Sequence, residues 1–395
     1  MEPARVAWDT MRLSRKTSRL LILAGGLLFL ALFAFKARFE MADFEVNYNA
    51  GKRLWLGETL YRTADEHYQF KYPPSSALLY LPLSFLPLSA AKAIWYVLIL
   101  LSIGLLLGLS SKLVDPGGEK RQVLIALSAA VLAKFLLREL ELGQINALIS
   151  AILILMVWIL VRDEQSPSRP RQIAAGILWG LATALKPYAL IFFPYFLLKK
   201  KWHSLWPGFL FLTLSLFMPT PFYGLPGNMV VLREWTTSLS RSTPALLNSQ
   251  DNVSLPAFLV KSTGDQRIST LIFAAGLGCL AFLAFIFIRK GKQVASPLLC
   301  EAALLLILIP LISPLGWDYT FLSSILAVAV IIKDFHFFPK AARIVLVCNF
   351  LVIALSIYDL LGQKLYAVFM AWSVLTINFF VLVAALFYLR FERRR

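Results

Sequence analysis

The sequence predicts an all-α integral membrane protein, one polytopic domain over residues 1–395 with about twelve transmembrane helices, and three observations carry that reading. Hydrophobic residues make up 59% of the chain and charged residues only 15%, a balance that excludes a water-soluble globule. Apolar stretches approaching the roughly 20 residues that cross a ~30 Å hydrocarbon layer recur from end to end. The basic residues, 39 against 22 acidic ones, collect in the short segments between alternate stretches, as the preference of Lys and Arg for the cytoplasmic side requires.

Taken in order, the expected spans are 20–35, 94–109, 123–137, 145–161, 173–185, 188–198, 205–218, 269–288, 298–312, 319–332, 344–358 and 366–389. The first follows a basic N-terminus; with no small-x-small cleavage site following it before Lys36, it reads as an uncleaved span and not as a signal peptide. Alternation from a cytoplasmic N-terminus then places Lys112, Lys120 and Arg121, Lys199 to Lys201, Arg289 and Lys290, and Arg393 to Arg395 on the inner side. Both termini are expected in the cytoplasm, in a multi-pass plasma-membrane protein. The net charge of +17 orients the chain among membrane lipids and calls for no nucleic acid. Residues 77–88, interrupted by Pro82 and Pro87, read as a shallow or re-entrant helix, with a thirteenth crossing as the alternative. Cys279, Cys300 and Cys348 lie in apolar runs and His67, His203 and His336 are scattered, so no metal site is expected.

Two outer segments are long, 36–76 and 222–266, and long loops in a tightly looped bundle are where function concentrates. In the first, Phe44, Tyr48, Gly51 and Trp55 recur three and four apart. That spacing predicts a short helix lying on the outer membrane surface with its aromatics in the interface. Asp43 at its start suits either a helix N-cap or a general base made more basic by partial desolvation, and spacing does not separate the two. Tyr72-Pro73-Pro74 sets an extended entry into the next helix. Charged groups that a bilayer makes costly converge on the outer ends of the spans. Lys134, Arg138, Glu139 and Glu141 lead into Gly143-Gln144-Ile145-Asn146; Lys186-Pro187 and Trp317-Asp318-Tyr319 follow. Snorkelling or local capping accounts for each alone, one extracytoplasmic polar cavity for all together. In the second segment Asn248 to Ser254 carries amides and hydroxyls dense enough for a sugar or a polar headgroup. Asn252-Val253-Ser254 also matches an N-glycosylation acceptor.

Asp43-Phe44-x-Val46-x-Tyr48-x-Ala50-Gly51, Gly57 to Tyr61, Tyr72-Pro73-Pro74, Gly143-Gln144-x-Asn146, Lys186-Pro187, Asn252-x-Ser254-Leu255 and Ser313-Pro314-x-x-Trp317-Asp318 occur in this order. Together they resemble glycosyltransferase family 87, polytopic enzymes of the GT-C superfamily, over roughly residues 20–330. The resemblance implies a GT-C-like fold and transfer of mannose or arabinofuranose from a polyprenyl-phosphate donor to an extracytoplasmic lipid or glycan acceptor, with inversion. It also implies that Asp43 is the acidic catalytic residue of the first outer loop. Tyr48, Lys71, Tyr72, Arg138, Gln144, Asn146, Lys186, Asn252, Trp317, Asp318 and Tyr319 are then the candidate substrate-binding residues. Of these, Lys71, Arg138 and Lys186 are placed to meet the lipid phosphate, so that the lipid-linked sugar is the only co-substrate and no metal is expected. Tyr319 stands where family members often carry His, so the role of that His does not carry over. A transporter or lipid flippase also suits many spans and a polar cavity, but the chain shows no internal repeat, and its polar groups gather at the outer face.

Overall fold

The computed structural model describes residues 26, 31, 33–35, 40–290 and 296–392. Among them the chain is helical, its one isolated bridge joining Asn252 to Trp317. The span expected at 20–35 and both termini fall wholly or largely outside the described residues. The helices are α1 (Ala42–Trp55), α2 (Ala77–Ser84), α3 (Leu88–Val114), α4 (Arg121–Val131), α5 (Ala133–Leu142), α6 (Asn146–Gln165), α7 (Arg169–Leu185), α8 (Phe192–Leu198) and α9 (Trp202–Phe217). They continue as α10 (Thr220–Leu247), α11 (Leu255–Thr263), α12 (Gln266–Lys290), α13 (Pro297–Ile312), α14 (Ile325–Lys333), α15 (Lys340–Leu355), α16 (Tyr358–Ala371) and α17 (Val374–Glu392).

By length and composition, α3, α6, α12 and α17 are each able to cross a membrane. Two bent pairs, α9 with α10 at 91° and α15 with α16 at 102°, bring the number to six if each pair is one span. In α12 only 11% of the apolar window is buried against protein, so most of that helix presents hydrocarbon outward, a surface matched to lipid. The other expected spans are shorter or broken. The stretch 123–137 divides at Leu132 into α4 and α5, and 188–198 starts as a 3-10 turn over Pro187–Ile191 before α8. The expected span 366–389 is corrected: the chain breaks at Trp372–Ser373, where Ser373 takes φ 46°, so the stretch straddles the ends of α16 and α17.

The segment 222–266 is also corrected, since most of it is helix and little of it loop. Its prolines and polar residues disguised α10. Gly224 breaks that helix (φ 66°, ψ 169°), and Pro226 enters the first turn after the break, where no amide hydrogen is needed. The eight residues of α2 rise only ~12 Å, far short of a ~30 Å crossing, so the thirteenth span is not made.

The aromatic stripe of α1 faces protein and not the bilayer interface. Phe44 is fully buried, stacked on Trp95 with ring centroids 5.6 Å apart and 6.2 Å from Tyr80. A Cβ on Gly51 would lie 2.9 Å from the Tyr80 carbonyl carbon, so the absent side chain is what lets α2 cross α1 at backbone contact. Of the four stripe residues only Trp55 is exposed, at 56%. Once another helix lies against them, Phe44 and Tyr48 gain more by packing than a half-wet interface offers.

Candidate active site

The site is built where α1 meets the joint between α5 and α6. Gly143 ends α5 in the left-handed conformation (φ 68°), and a Cβ there would fall 2.7 Å from the Phe44 Cβ. Only glycine serves both demands. Trp95 Nε1 donates to the Gly143 carbonyl at 2.8 Å, and the Met41 amide donates to the Glu141 carbonyl at 2.9 Å. These contacts set Asp43 beside Gln144, 101 positions later in the chain.

Gln144 is the hub. Its Nε2 donates to Asp43 Oδ2 and, at 3.0 Å, to the Tyr319 hydroxyl. Its Oε1 accepts the Tyr72 hydroxyl at 3.2 Å and Asn146 Nδ2 at 3.4 Å. All four valences of the carboxamide are thus committed, which fixes its orientation and that of the carboxylate it holds. Asn146 continues the chain of contacts, donating to Glu139 Oε2 at 3.0 Å and accepting Lys186 Nζ at 2.7 Å. The Lys186 ammonium also lies over the rings of Tyr72 (5.4 Å) and Tyr188 (5.2 Å). Glu139 Oε1 accepts the Ala147 amide at 2.6 Å, an anion at the N-terminus of α6.

The cap position of α1 is taken by Met41 (φ 52°, ψ 41°), and Asp43 is the second residue of the helix. The N-cap role open to Asp43 from spacing therefore falls to another residue, although its charge still sits at the favourable end of the helix dipole. Lys71 is within electrostatic reach of Asp43; burial pulls its ammonium below the ordinary lysine range, and the Asp43 charge partly opposes that. Burial, with the charges of Asp43 and Glu139, pushes the Tyr72 hydroxyl well up, so it remains a donor to Gln144. On another side of α1 a cavity of about 470 Å³ is lined by Glu40, Ala42, Glu45, Asn49, Arg53 and Asp65.

The structure thus brings together Asp43, Lys71, Tyr72, Gln144, Asn146, Lys186 and Tyr319. Other predicted residues stand apart. Tyr48 is buried and donates to the Leu86 carbonyl at 2.7 Å, fixing α1 to the joint between α2 and α3. Arg138 pairs with Glu141 at 2.7 Å on the surface. Asp318 accepts its neighbour's amide, from Tyr319, at 2.7 Å and faces the charges of Lys134 and Arg138, while Trp317 supplies a carbonyl to Thr320. Asn252 is fully buried. Its Nδ2 donates to the carbonyls of Leu246 and Pro314, and its Oδ1 accepts the amides of Ser254 and Gly316. With every valence used, Asn252 pins the 313–317 turn and has nothing left for a sugar or a glycan.

Glu139 is the residue sequence reasoning left unassigned. It was legible only as one of four charges at the end of a span, yet it occupies the stripe of Phe135, Leu136 and Leu140, all buried. A carboxylate in the apolar stripe of an amphipathic helix is the signal that separates it from Arg138 and Glu141.

Comparison with known proteins bears on the same residues. The chain is 30% identical over 259 residues to an alpha-(1->3)-arabinofuranosyltransferase of Corynebacterium glutamicum, covering 62% of this chain and 57% of that protein. It is 26% identical over 315 residues to a polyprenol-phosphate-mannose-dependent alpha-(1-2)-phosphatidylinositol mannoside mannosyltransferase of Mycobacterium tuberculosis, covering 72% of this chain and 68% of that one. A shorter match, 26% over 141 residues, is to the corresponding pentamannoside mannosyltransferase of Mycolicibacterium smegmatis. No solved structure matches the chain. The family model described as glycosyltransferase family 87 matches residues 70–314, a range that includes Tyr72, Gln144, Asn146 and Lys186 and begins after Asp43. That match extends over well more than half of the sequence, and the chain belongs to glycosyltransferase family 87.

Proposed function

We propose that the protein is an integral membrane glycosyltransferase that moves a sugar, mannose or arabinofuranose, from a polyprenyl-phosphate donor to a lipid or glycan acceptor on the extracytoplasmic side. The observation that carries this reading is the carboxylate of Asp43 held by Gln144 in a buried polar cluster that contains Lys186, with Lys71 within electrostatic reach. Two mycobacterial relatives, both named as polyprenol-phosphate-mannose-dependent, support the donor class.

In this reading the acceptor enters through the cavity outside α1, and the donor's prenyl tail lies along the apolar outer surface of the bundle. Asp43 removes the proton as the acceptor hydroxyl attacks the anomeric carbon. The new carbon–oxygen bond forms on the face opposite the phosphate, and the old one breaks with its electron pair leaving on the polyprenyl phosphate. A carboxylate beside the oxocarbenium-like centre also stabilises its positive charge. The departing phosphate is already anionic, so it needs cations more than an acid, and Lys71 and Lys186 supply them without a metal. Gln144 keeps Asp43 turned toward the acceptor. In this reading the cluster lies on the extracytoplasmic side of the membrane, where the lipid-linked donor presents its sugar.

Purified protein incubated with radiolabelled polyprenyl-phosphate mannose or arabinofuranose and membrane extract should form a new glycosylated lipid or glycan. Movement of the donor across proteoliposomes with no such product would overturn the reading in favour of a flippase.

A further inference from the structure

Asn47 carries a signal that the polar cluster does not absorb. It lies one turn after Asp43 on the same stripe of α1 and is 1% exposed, and neither its Nδ2 nor its Oδ1 has a partner in the protein. Tyr80, fully buried on α2, has an equally unpartnered hydroxyl. Both belong to the contact between α1 and α2: the Tyr80 ring lies 6.2 Å from that of Phe44 and its backbone abuts Gly51, residues that precede and follow Asn47 by one turn of α1. The Tyr80 ring also packs on that of Trp95, 4.8 Å away, whose indole nitrogen donates to the Gly143 carbonyl beside Gln144, so both residues border the same cluster. Leaving a buried carboxamide with four empty valences is costly, and at a site that binds a polar ligand those valences are the ligand's. We propose that Asn47 and Tyr80 form the inner wall of the donor-sugar subsite, the carboxamide spanning two adjacent hydroxyls of the sugar while Asp43 faces its anomeric carbon. An amide suits a vicinal diol because it donates to one oxygen and accepts from the next.

The inference rests on the proposed sugar transfer and is tested separately from it. Wild type, Asn47→Leu and Tyr80→Phe would be titrated with polyprenyl phosphate and with polyprenyl-phosphate mannose or arabinofuranose, following thermal unfolding in detergent. Bare polyprenyl phosphate should stabilise all three alike. The preference of wild type for the sugar-bearing lipid should fall by about tenfold to a hundredfold in Asn47→Leu and by less in Tyr80→Phe. Unliganded Asn47→Leu should melt no lower than wild type, because it removes an unpartnered polar group. Variants that keep the wild-type preference, or an unliganded Asn47→Leu that melts well below wild type, would overturn the assignment and leave the proposed transfer standing. A wild type that neither distinguishes the two lipids nor transfers sugar would sink the functional reading, and this assignment with it.

Discussion

The two ends of the helix bundle handle buried charge in opposite ways. Asn146 and Asp163 lie at the two ends of α6, roughly 25 Å apart at ~1.5 Å per residue. At the Asp163 end, unlike charges touch. Glu301, fully buried, takes both Lys199 at 2.8 Å and Arg390 at 2.9 Å; Asp115 takes Lys333 at 2.7 Å; and Asp163 lies 3.7 Å from Lys201. In the polar cluster at the Asn146 end, carboxamides stand beside the charges: Glu139 meets Lys186 through Asn146, and Asp43 is held by Gln144, while direct pairs such as Lys92–Glu45 and Arg138–Glu141 lie around the cluster. Direct pairs neutralise each other and anchor helices, here joining α17 and the end of α8 to α13. Glu139 and Lys186, set one amide apart, do not neutralise each other by direct contact.

The comparison is broken most severely at Glu301. Glu301→Ala leaves Arg390 buried without its anion and should cost about 3–5 kcal/mol of stability, read as a fall in detergent unfolding temperature. Sugar transfer per folded molecule should stay near wild type, and a selective loss of transfer would erase the division of labour. At the other end the signs reverse. Gln144→Leu should lower turnover per folded molecule about a hundredfold, because Asp43 loses the group that orients it, with a smaller fall in unfolding temperature than Glu301→Ala as the Tyr72 and Tyr319 hydroxyls lose their partner.

A smaller effect sharpens the role of the lysines. Lys71 must be protonated to hold a phosphate, and its folded-state pKa lies below the usual lysine value because burial outweighs the attraction of Asp43. Donor affinity should therefore be full at low pH and weaken as pH rises through that lowered pKa, earlier than an ordinary lysine would lose its proton. Lys71→Arg should shrink the alkaline loss, leaving the part that belongs to Lys186, whose ammonium burial also lowers, and titration of polyprenyl phosphate binding against pH would show it.

Much of this was legible in the sequence because it follows from local pattern. Helix periodicity located α1, Pro82 and Pro87 marked the short α2, and Gly143-Gln144-Ile145-Asn146 stood out as polar residues following an apolar run. What was not legible depends on partners far along the chain. Nothing local says that Gln144 meets Asp43, that Tyr319 closes on the same amide, or that Phe44 and Tyr48 pack on α2 and α3 in place of the interface. Asn252 looked like a sugar ligand because amides are versatile; only the four backbone groups around it show that its capacity is spent on a turn. The 222–266 segment failed for a different reason: composition alone does not separate a polar helix entered through Gly224 and Pro226 from a loop.

The account turns on Asp43 as the base, and the most direct measurement compares Asp43→Asn with wild type for turnover, donor affinity and unfolding temperature in one preparation. The substitution keeps the shape of the side chain and removes its capacity to take a proton. Turnover should fall about a thousandfold or more, with donor binding and unfolding temperature close to wild type. Turnover within tenfold of wild type would contradict the assignment.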